Sequence, residues 1–237
     1  MEDMMRIGVI GASGNIGQRV VTEAVQRGHQ VTAFTRPTSA LPDSTENVRW
    51  HPVDVLDTQD LTASIGGLDV LISGYQPGNA ATDLGDTLRR SISDPTVYVT
   101  AANALLKAME SYPALRLIVI GGAGSLEIRP GVTGIDSPEE LRQGLVALGL
   151  PEEYEAAVRG HRDALNTYRL SNRLWTYASP ALRIEPGTRT GRFRLGGDQV
   201  IVDANGESSI SYEDFAVALL DEAELPRYVQ RRFTVGY

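Results

Sequence analysis

A short apolar strand running directly into a glycine-spaced turn opens the chain: Arg6-Ile7-Gly8-Val9-Ile10, then Gly11-Ala12-Ser13-Gly14-Asn15-Ile16-Gly17. Few folds accommodate that succession. The first glycine of the G-x-x-G-x-x-G spacing lets the chain turn sharply off the strand. The second leaves room for backbone beside a pyrophosphate, and the third lets the next helix pack closely on the sheet. The residues that follow have helical spacing: Ile16, Val20, Val21, Ala24 and Val25 fall on one side, Gln18, Arg19, Glu23 and Gln26 on the other. The N–H groups at the start of such a helix have no partner within it and would face phosphate oxygens. A glycine pattern that follows a strand and opens an amphipathic helix predicts the first βα unit of a dinucleotide-binding domain.

The same alternation continues. Strands are predicted at Gln30–Thr35, Val48–Val53, Leu68–Ser73 and Leu115–Gly121, with helices at 57–65 and 95–112. The Leu-Arg-Leu-Ile-Val-Ile-Gly run is apolar enough for the middle of a parallel sheet. Beyond it the pattern loosens. Ser137-Pro138 reads as a helix start, 151–170 as a long helix and Leu174–Ser179 as a sixth strand. Arg192–Leu195 and Gln199–Asp203 read as a hairpin across Gly196-Gly197, and Asn205-Gly206 as a further turn. Ser211-Tyr212-Glu213-Asp214 is a near capping box before a helix ending at Glu224, and Arg231–Gly236 closes the chain as a strand. The expected fold class is α/β: a Rossmann doubly wound parallel sheet with a small C-terminal substrate lobe. The expected organisation is one domain over 1–237, its discontinuous lobe drawn mainly from 122–173 and 181–230.

Composition removes several alternatives. Twenty-two Lys and Arg against 30 Asp and Glu give a net charge of −8, which argues against nucleic acid and anionic membrane as partners. There is no cysteine, so thiolate chemistry, disulfides and Cys-ligated metals are excluded. The three histidines, His29, His51 and His161, form no pair at helical metal-ligand spacing. The first apolar stretch is broken by Gly8, Gly11 and Gly14, and the expected location is the cytoplasm, as a monomer or homodimer.

The end of the second strand bears on which nucleotide binds. It reads Phe34-Thr35-Arg36-Pro37, with no acid before Asp43 to take a ribose 2′-hydroxyl. Arg36 stands where a 2′-phosphate would lie, so NADP(H) is expected ahead of NAD(H), with Ser13 and Thr35 adding hydroxyls. Asp54 fits two roles, acceptor for an adenine amino group or cap of the turn at Val55–Asp57.

Gly11–Gly17, Asp54-Val55, Gly121-Gly122-Ala123-Gly124-Ser125-Leu126 and Trp175 to Ala181 together resemble the atypical short-chain dehydrogenase/reductases. The tail narrows this: Pro186-Gly187, Arg189-Thr190-Gly191, Leu195 to Asp198, Ile210 to Ala216 and Arg232 to Tyr237. These segments resemble the bacterial NADH-flavin reductase group, relatives of NmrA-like and biliverdin-reductase-B-like proteins. The resemblance spans nearly the whole chain and implies a Rossmann fold binding NAD(P)H. Asp136–Leu150 is longer than the resemblance implies. Ser73, Gly74 and Tyr75 would line the ribose and nicotinamide side. Ser179, Pro180 and Ala181 would pack on the carboxamide.

Chemistry then rests on the strand ends. Gly121, Gly122 and Ala123 would let a ring approach, and Ser125 could hydrogen-bond carboxamide or substrate. Tyr154 and His161, two turns apart on one helix, are candidate proton donors. The Tyr-x-x-x-Lys pair of hydroxyl-oxidising relatives is absent: the sole lysine is Lys107, and position 103 is Asn. A flavin, quinone or similar conjugated acceptor needs positioning more than a dedicated acid, since water can supply its proton. The missing pair therefore fits an NAD(P)H-dependent reductase with flavin as a substrate. It equally fits a non-catalytic NmrA-like sensor of NADP(H).

Overall fold

The computed structural model describes residues 4–39 and 41–237. The chain begins β1 (Arg6–Ile10), α1 (Asn15–Gln26), β2 (Gln30–Thr35), β3 (Val48–Pro52), α2 (Thr58–Ser64) and β4 (Val70–Ser73). It continues through α3 (Leu84–Ser93), α4 (Val97–Ala108), β5 (Arg116–Ile120), β6 (Glu127–Arg129), β7 (Val132–Thr133) and α5 (Pro138–Ala147). It ends with α6 (Glu155–Arg169), β8 (Trp175–Pro180), β9 (Arg183–Glu185), β10 (Arg194–Gly196), β11 (Ser209–Ser211), α7 (Tyr212–Glu224) and β12 (Arg231–Gly236). Eight strands form one sheet in the order β10-β12-β8-β5-β4-β1-β2-β3. Every pairing in it is parallel except β10 with β12. The expected doubly wound α/β sheet is what the chain forms.

Apolar side chains leave the sheet on both faces, as buried parallel strands require. One core joins Phe34, Leu71 and Leu117 to Leu61 of α2, Leu105 of α4 and Leu165 of α6. The other joins Val9, Ile72 and Ile118 to Val20 and Ala24 of α1 and to Phe215 and Leu219 of α7. Strand order reverses between β1 and β4, so a crevice opens beyond their carboxyl ends, where ligands bind in such sheets.

One expectation fails and one holds without its hydrogen bond. Arg192–Leu195 and Gln199–Asp203 do not form a hairpin. Leu195 instead pairs antiparallel with Val235 of β12, whose backbone edge offers a longer ladder. Gln199 makes only an isolated bridge to Glu127. Ser137 is the N-cap of α5, as its place before Pro138 implies, but its hydroxyl makes no cap bond and accepts from Arg129 at 3.3 Å instead. The capping at Ser211 is formed, its hydroxyl accepting from the Asp214 amide at 3.0 Å.

Candidate functional site

The β1–α1 turn builds the floor of the crevice. Gly11 has φ +76°, a conformation that L side chains rarely adopt, and a Cβ there would also lie 2.6 Å from the Gly74 carbonyl oxygen. A Cβ on Gly17 would sit 2.1 Å from the Gly11 carbonyl oxygen. Gly14 is the N-cap of α1 and supplies no side-chain cap. The amides of Asn15, Ile16 and Gly17 are therefore left for a ligand. Dipole and donors together make this end of α1 favourable to a phosphate.

A cleft of about 360 Å³ runs from this turn across the strand ends. Of the residues singled out in the sequence, Gly11, Ser13, Gly14, Asn15, Ile16 and Gly17 line it. So do Thr35, Arg36, Asp54, Val55, Gly74, Tyr75 and Tyr154. Thr35 is among the lining residues, and its Oγ1 is buried without a hydrogen-bond partner. Arg36 is exposed and has no ion-pair partner among the described residues. Asp54 Oδ1 accepts the Leu56 amide at 2.9 Å, so it caps its turn while the residue also lines the cleft. The Asn79 amide reaches Ser13 Oγ at 3.4 Å, bringing the segment after β4 over the phosphate turn.

The remaining residues singled out lie elsewhere. Ser73 and His161 face a separate space of about 20 Å³, room for one water, together with Tyr98, Tyr168 and Tyr177. The His161 ring packs on Tyr98 with centroids 3.9 Å apart, and burial pulls its pKa down to about 4. Ser125 is buried, its hydroxyl and carbonyl accepting from Arg232 at 3.0 and 3.1 Å. Ser179 is buried and donates to the Gly122 carbonyl at 3.0 Å; Pro180 and Ala181 are buried with it. Gly121, Gly122 and Ala123 lie outside the cleft lining. The close approach that the glycines permit is internal: a Cβ would meet the Tyr177 ring at 1.9 Å from Gly121 and His161 at 3.2 Å from Gly122.

Sequence reading missed the other wall. Leu84, Thr87 and Leu88 of α3, Ile120, Ile184 and Tyr212 complete the cleft. Helix α3 carries a short apolar stripe, Leu84, Leu88 and Ile92, that the sequence reading passed over; its fully buried residues are the polar Thr87 and Ser91. Ile184 and Tyr212 come from opposite ends of a long excursion, joined when β9 pairs with β11. Burial raises the Tyr154 pKa, so its phenol stays protonated and can donate. Tyr75 is pushed up to about 12, by burial and then by Asp54 and Asp94, with Arg36 opposing.

A glycine turn opening an uncapped helix, at the switch point of a parallel sheet, defines a dinucleotide-binding Rossmann protein. Residues 11–226 match the family described as NAD(P)H-binding, and the chain belongs to that family. It is 33% identical over 235 residues to the uncharacterized protein YwnB of Bacillus subtilis, covering 98% of each chain. A Bacteroides thetaiotaomicron structure provisionally named an epimerase has TM-score 0.80 and 33% identity, over 99% of this chain and 98% of that one. A Streptococcus pneumoniae structure provisionally named an NADH-flavin reductase has TM-score 0.77 and 28% identity, over 98% and 99%. Among the described residues, no helix is long and apolar enough to cross a membrane, and no cluster of metal-ligating side chains occurs.

Proposed function

We propose that the protein is an NADPH-preferring oxidoreductase that reduces a small conjugated acceptor. The observation that carries this is a single continuous cleft. Its β1–α1 floor suits a pyrophosphate, its β2 end presents an unpaired Arg36, and its far end has apolar walls and the Tyr154 phenol. Arg36 favours NADPH because a guanidinium matches a 2′-phosphate and no carboxylate stands at the end of β2 to take a 2′-hydroxyl. The bound cofactor supplies a hydride with two electrons, which the acceptor takes together with a proton from water, leaving NADP⁺ and the two-electron-reduced acceptor. The chain's part is positioning. Gly11–Gly17 fixes the phosphates, Ile120 and Tyr75 border the ring end, and Tyr154 can hold an acceptor carbonyl by donating to it.

The Streptococcus relative's name agrees with this reading, and the absent Tyr-x-x-x-Lys pair disfavours the alcohol and epimerase chemistry that the Bacteroides name implies. Residues 122–173 and 181–230 supply Tyr154, Ile184 and Tyr212 and act as the small substrate lobe of a single domain. One observation favours the sensor alternative: Ser125 and His161 are held in internal contacts, so of the three residues expected to donate a proton or hydrogen bond only Tyr154 lines the cleft. The deciding measurement is oxidation of NADPH and NADH, followed by reduced-nicotinamide absorbance, with riboflavin and a small quinone as acceptors. Turnover above the protein-free control, faster with NADPH, supports the reductase. Tight NADPH binding without turnover by any acceptor replaces it with the sensor.

A further inference from the structure

We infer that the open half of the cleft takes an uncharged conjugated ring and discriminates against the phosphorylated form of the same ring. This rests on the reductase reading above and names the class of acceptor within it.

The two halves of the cleft differ in charge. The charged side chains that line it are Arg36 and Asp54, both at the β2–β3 end. The other half is walled by Leu84 and Leu88 of α3, Ile120, Tyr154, Ile184 and Tyr212, with no Lys, Arg, His, Asp or Glu. Cations on the neighbouring elements are already engaged. Arg89 and Arg90 pair with Asp86 at 3.4 and 2.7 Å, and Arg159 pairs with Glu155 at 2.6 Å. Arg19 lies 5.5 Å from the Tyr212 ring centroid but bonds Glu213 at 3.0 Å. Arg183 and Glu185 flank Ile184 and offset each other. Next to Tyr154, Glu152 and Glu153 are exposed and have no cationic partner among the described residues. An anion entering here would shed water against apolar walls, with no counter-charge to meet it and acidic residues beside the entrance.

A neutral ring meets the opposite balance. Its faces bury against leucine, isoleucine and tyrosine, and one ring carbonyl can accept from Tyr154, a residue of the cleft lining whose phenol makes no side-chain hydrogen bond among the described residues. Riboflavin and FMN carry the same isoalloxazine and differ by one phosphate, so their comparison isolates the charge.

The test is a flavin-fluorescence titration of riboflavin and of FMN into the protein saturated with NADP⁺, paired with NADPH turnover of each. The expected result is riboflavin binding about 10-fold or more tighter than FMN. Leu84→Arg, at an exposed position on the entrance, should narrow or reverse that ratio. Equal affinities, tighter FMN, or no binding of riboflavin would overturn the inference. The failure of the underlying reading looks different: riboflavin binds preferentially, yet NADPH is never oxidised. Turnover that favours FMN overturns the inference while leaving the reductase intact.

Discussion

Asp214, fully buried at the start of α7, accepts both the amide and the hydroxyl of Thr190, at 2.8 and 2.5 Å. The Gly191 amide and the Tyr237 hydroxyl complete its shell, each at 2.8 Å. Burial works to raise this carboxyl's pKa, but the hydrogen bonds outweigh it and hold the group below the ordinary range. The carboxylate thereby ties the segment after β9 to α7, and Arg189 on that segment clamps Glu23 of α1 at 2.7 and 2.8 Å. Asp214→Asn replaces one acceptor oxygen with a donor facing donors. The expected loss is about 3 kcal/mol, read as a lower urea midpoint at unchanged slope. A midpoint within error of the parent would show that the carboxylate is dispensable.

The phosphate floor depends on contact between backbone segments rather than on side chains. At Gly17 even a methyl would overlap the Gly11 carbonyl, so the α1 start must shift away from β1. Gly17→Ala is expected to weaken NADPH binding by about 2 kcal/mol or more, measured by calorimetry, with the far-ultraviolet spectrum retained. Unchanged affinity would mean that the nucleotide does not lie on this turn.

Arg36→Glu replaces an unpaired guanidinium with a carboxylate able to accept from a ribose hydroxyl. Loss of one charge-assisted bond is worth about 2 kcal/mol, so the NADPH over NADH preference should fall about 30-fold or invert. Equal weakening of both nucleotides would remove the 2′-phosphate from this position.

His161 offers a pH signature. Its pKa falls from an ordinary 6.5 to about 4 because the folded protein buries it without a charge partner. Below pH 6.5 the unfolded chain takes up a proton that the folded one refuses, so stability declines as pH falls toward 4 and is at its full value above 6.5. The contribution at the acid end is about 3 kcal/mol, and His161→Phe, which keeps a ring against Tyr98, should flatten that part of the profile. Thermal denaturation of parent and variant between these limits measures it. Parallel profiles would mean that the histidine titrates normally.

The fold was legible wherever burial is two-sided. Gln30–Thr35 and Arg6–Ile10 form strands over the residues their apolar runs mark, because parallel strands covered on both faces need such runs. Helix α3 was not read from the sequence. Its Asp83 cap and its Leu84, Leu88 and Ile92 stripe are both local, but the helix buries Thr87 and Ser91 and leaves Leu84 exposed, so the stripe does not mark a core face. The hairpin expected at 192–203 failed for a different reason: Leu195 finds its partner in Val235, forty residues on, and no turn residue encodes that choice. The cleft divides along the same line. Its phosphate half comes from one contiguous stretch, Gly11–Gly17, whereas Leu84, Ile184 and Tyr212 meet only through tertiary pairing. At Gly121 and Gly122 the missing Cβ makes room for the rings of Tyr177 and His161, a packing demand that the spacing alone does not reveal.

Ser125 and Tyr154 hold their hydroxyls in different settings. Ser125 Oγ accepts from the Arg232 guanidinium, which also donates to Asp198 at 2.8 Å, so it holds the segment between β5 and β6 against β12. Ser125→Ala should cost about 2 kcal/mol of stability, since a buried charged donor loses a partner, and leave kcat nearly unchanged. Tyr154 lines the cleft, and its phenol is protonated at neutral pH because burial raises its pKa. Tyr154→Phe keeps the ring and removes the donor, so acceptor kcat/KM should fall about 10-fold while NADPH affinity and melting temperature hold. The paired comparison is what discriminates. If Ser125→Ala lowers turnover and Tyr154→Phe does not, the acceptor lies toward β5 and the assignment of the apolar half of the cleft is wrong.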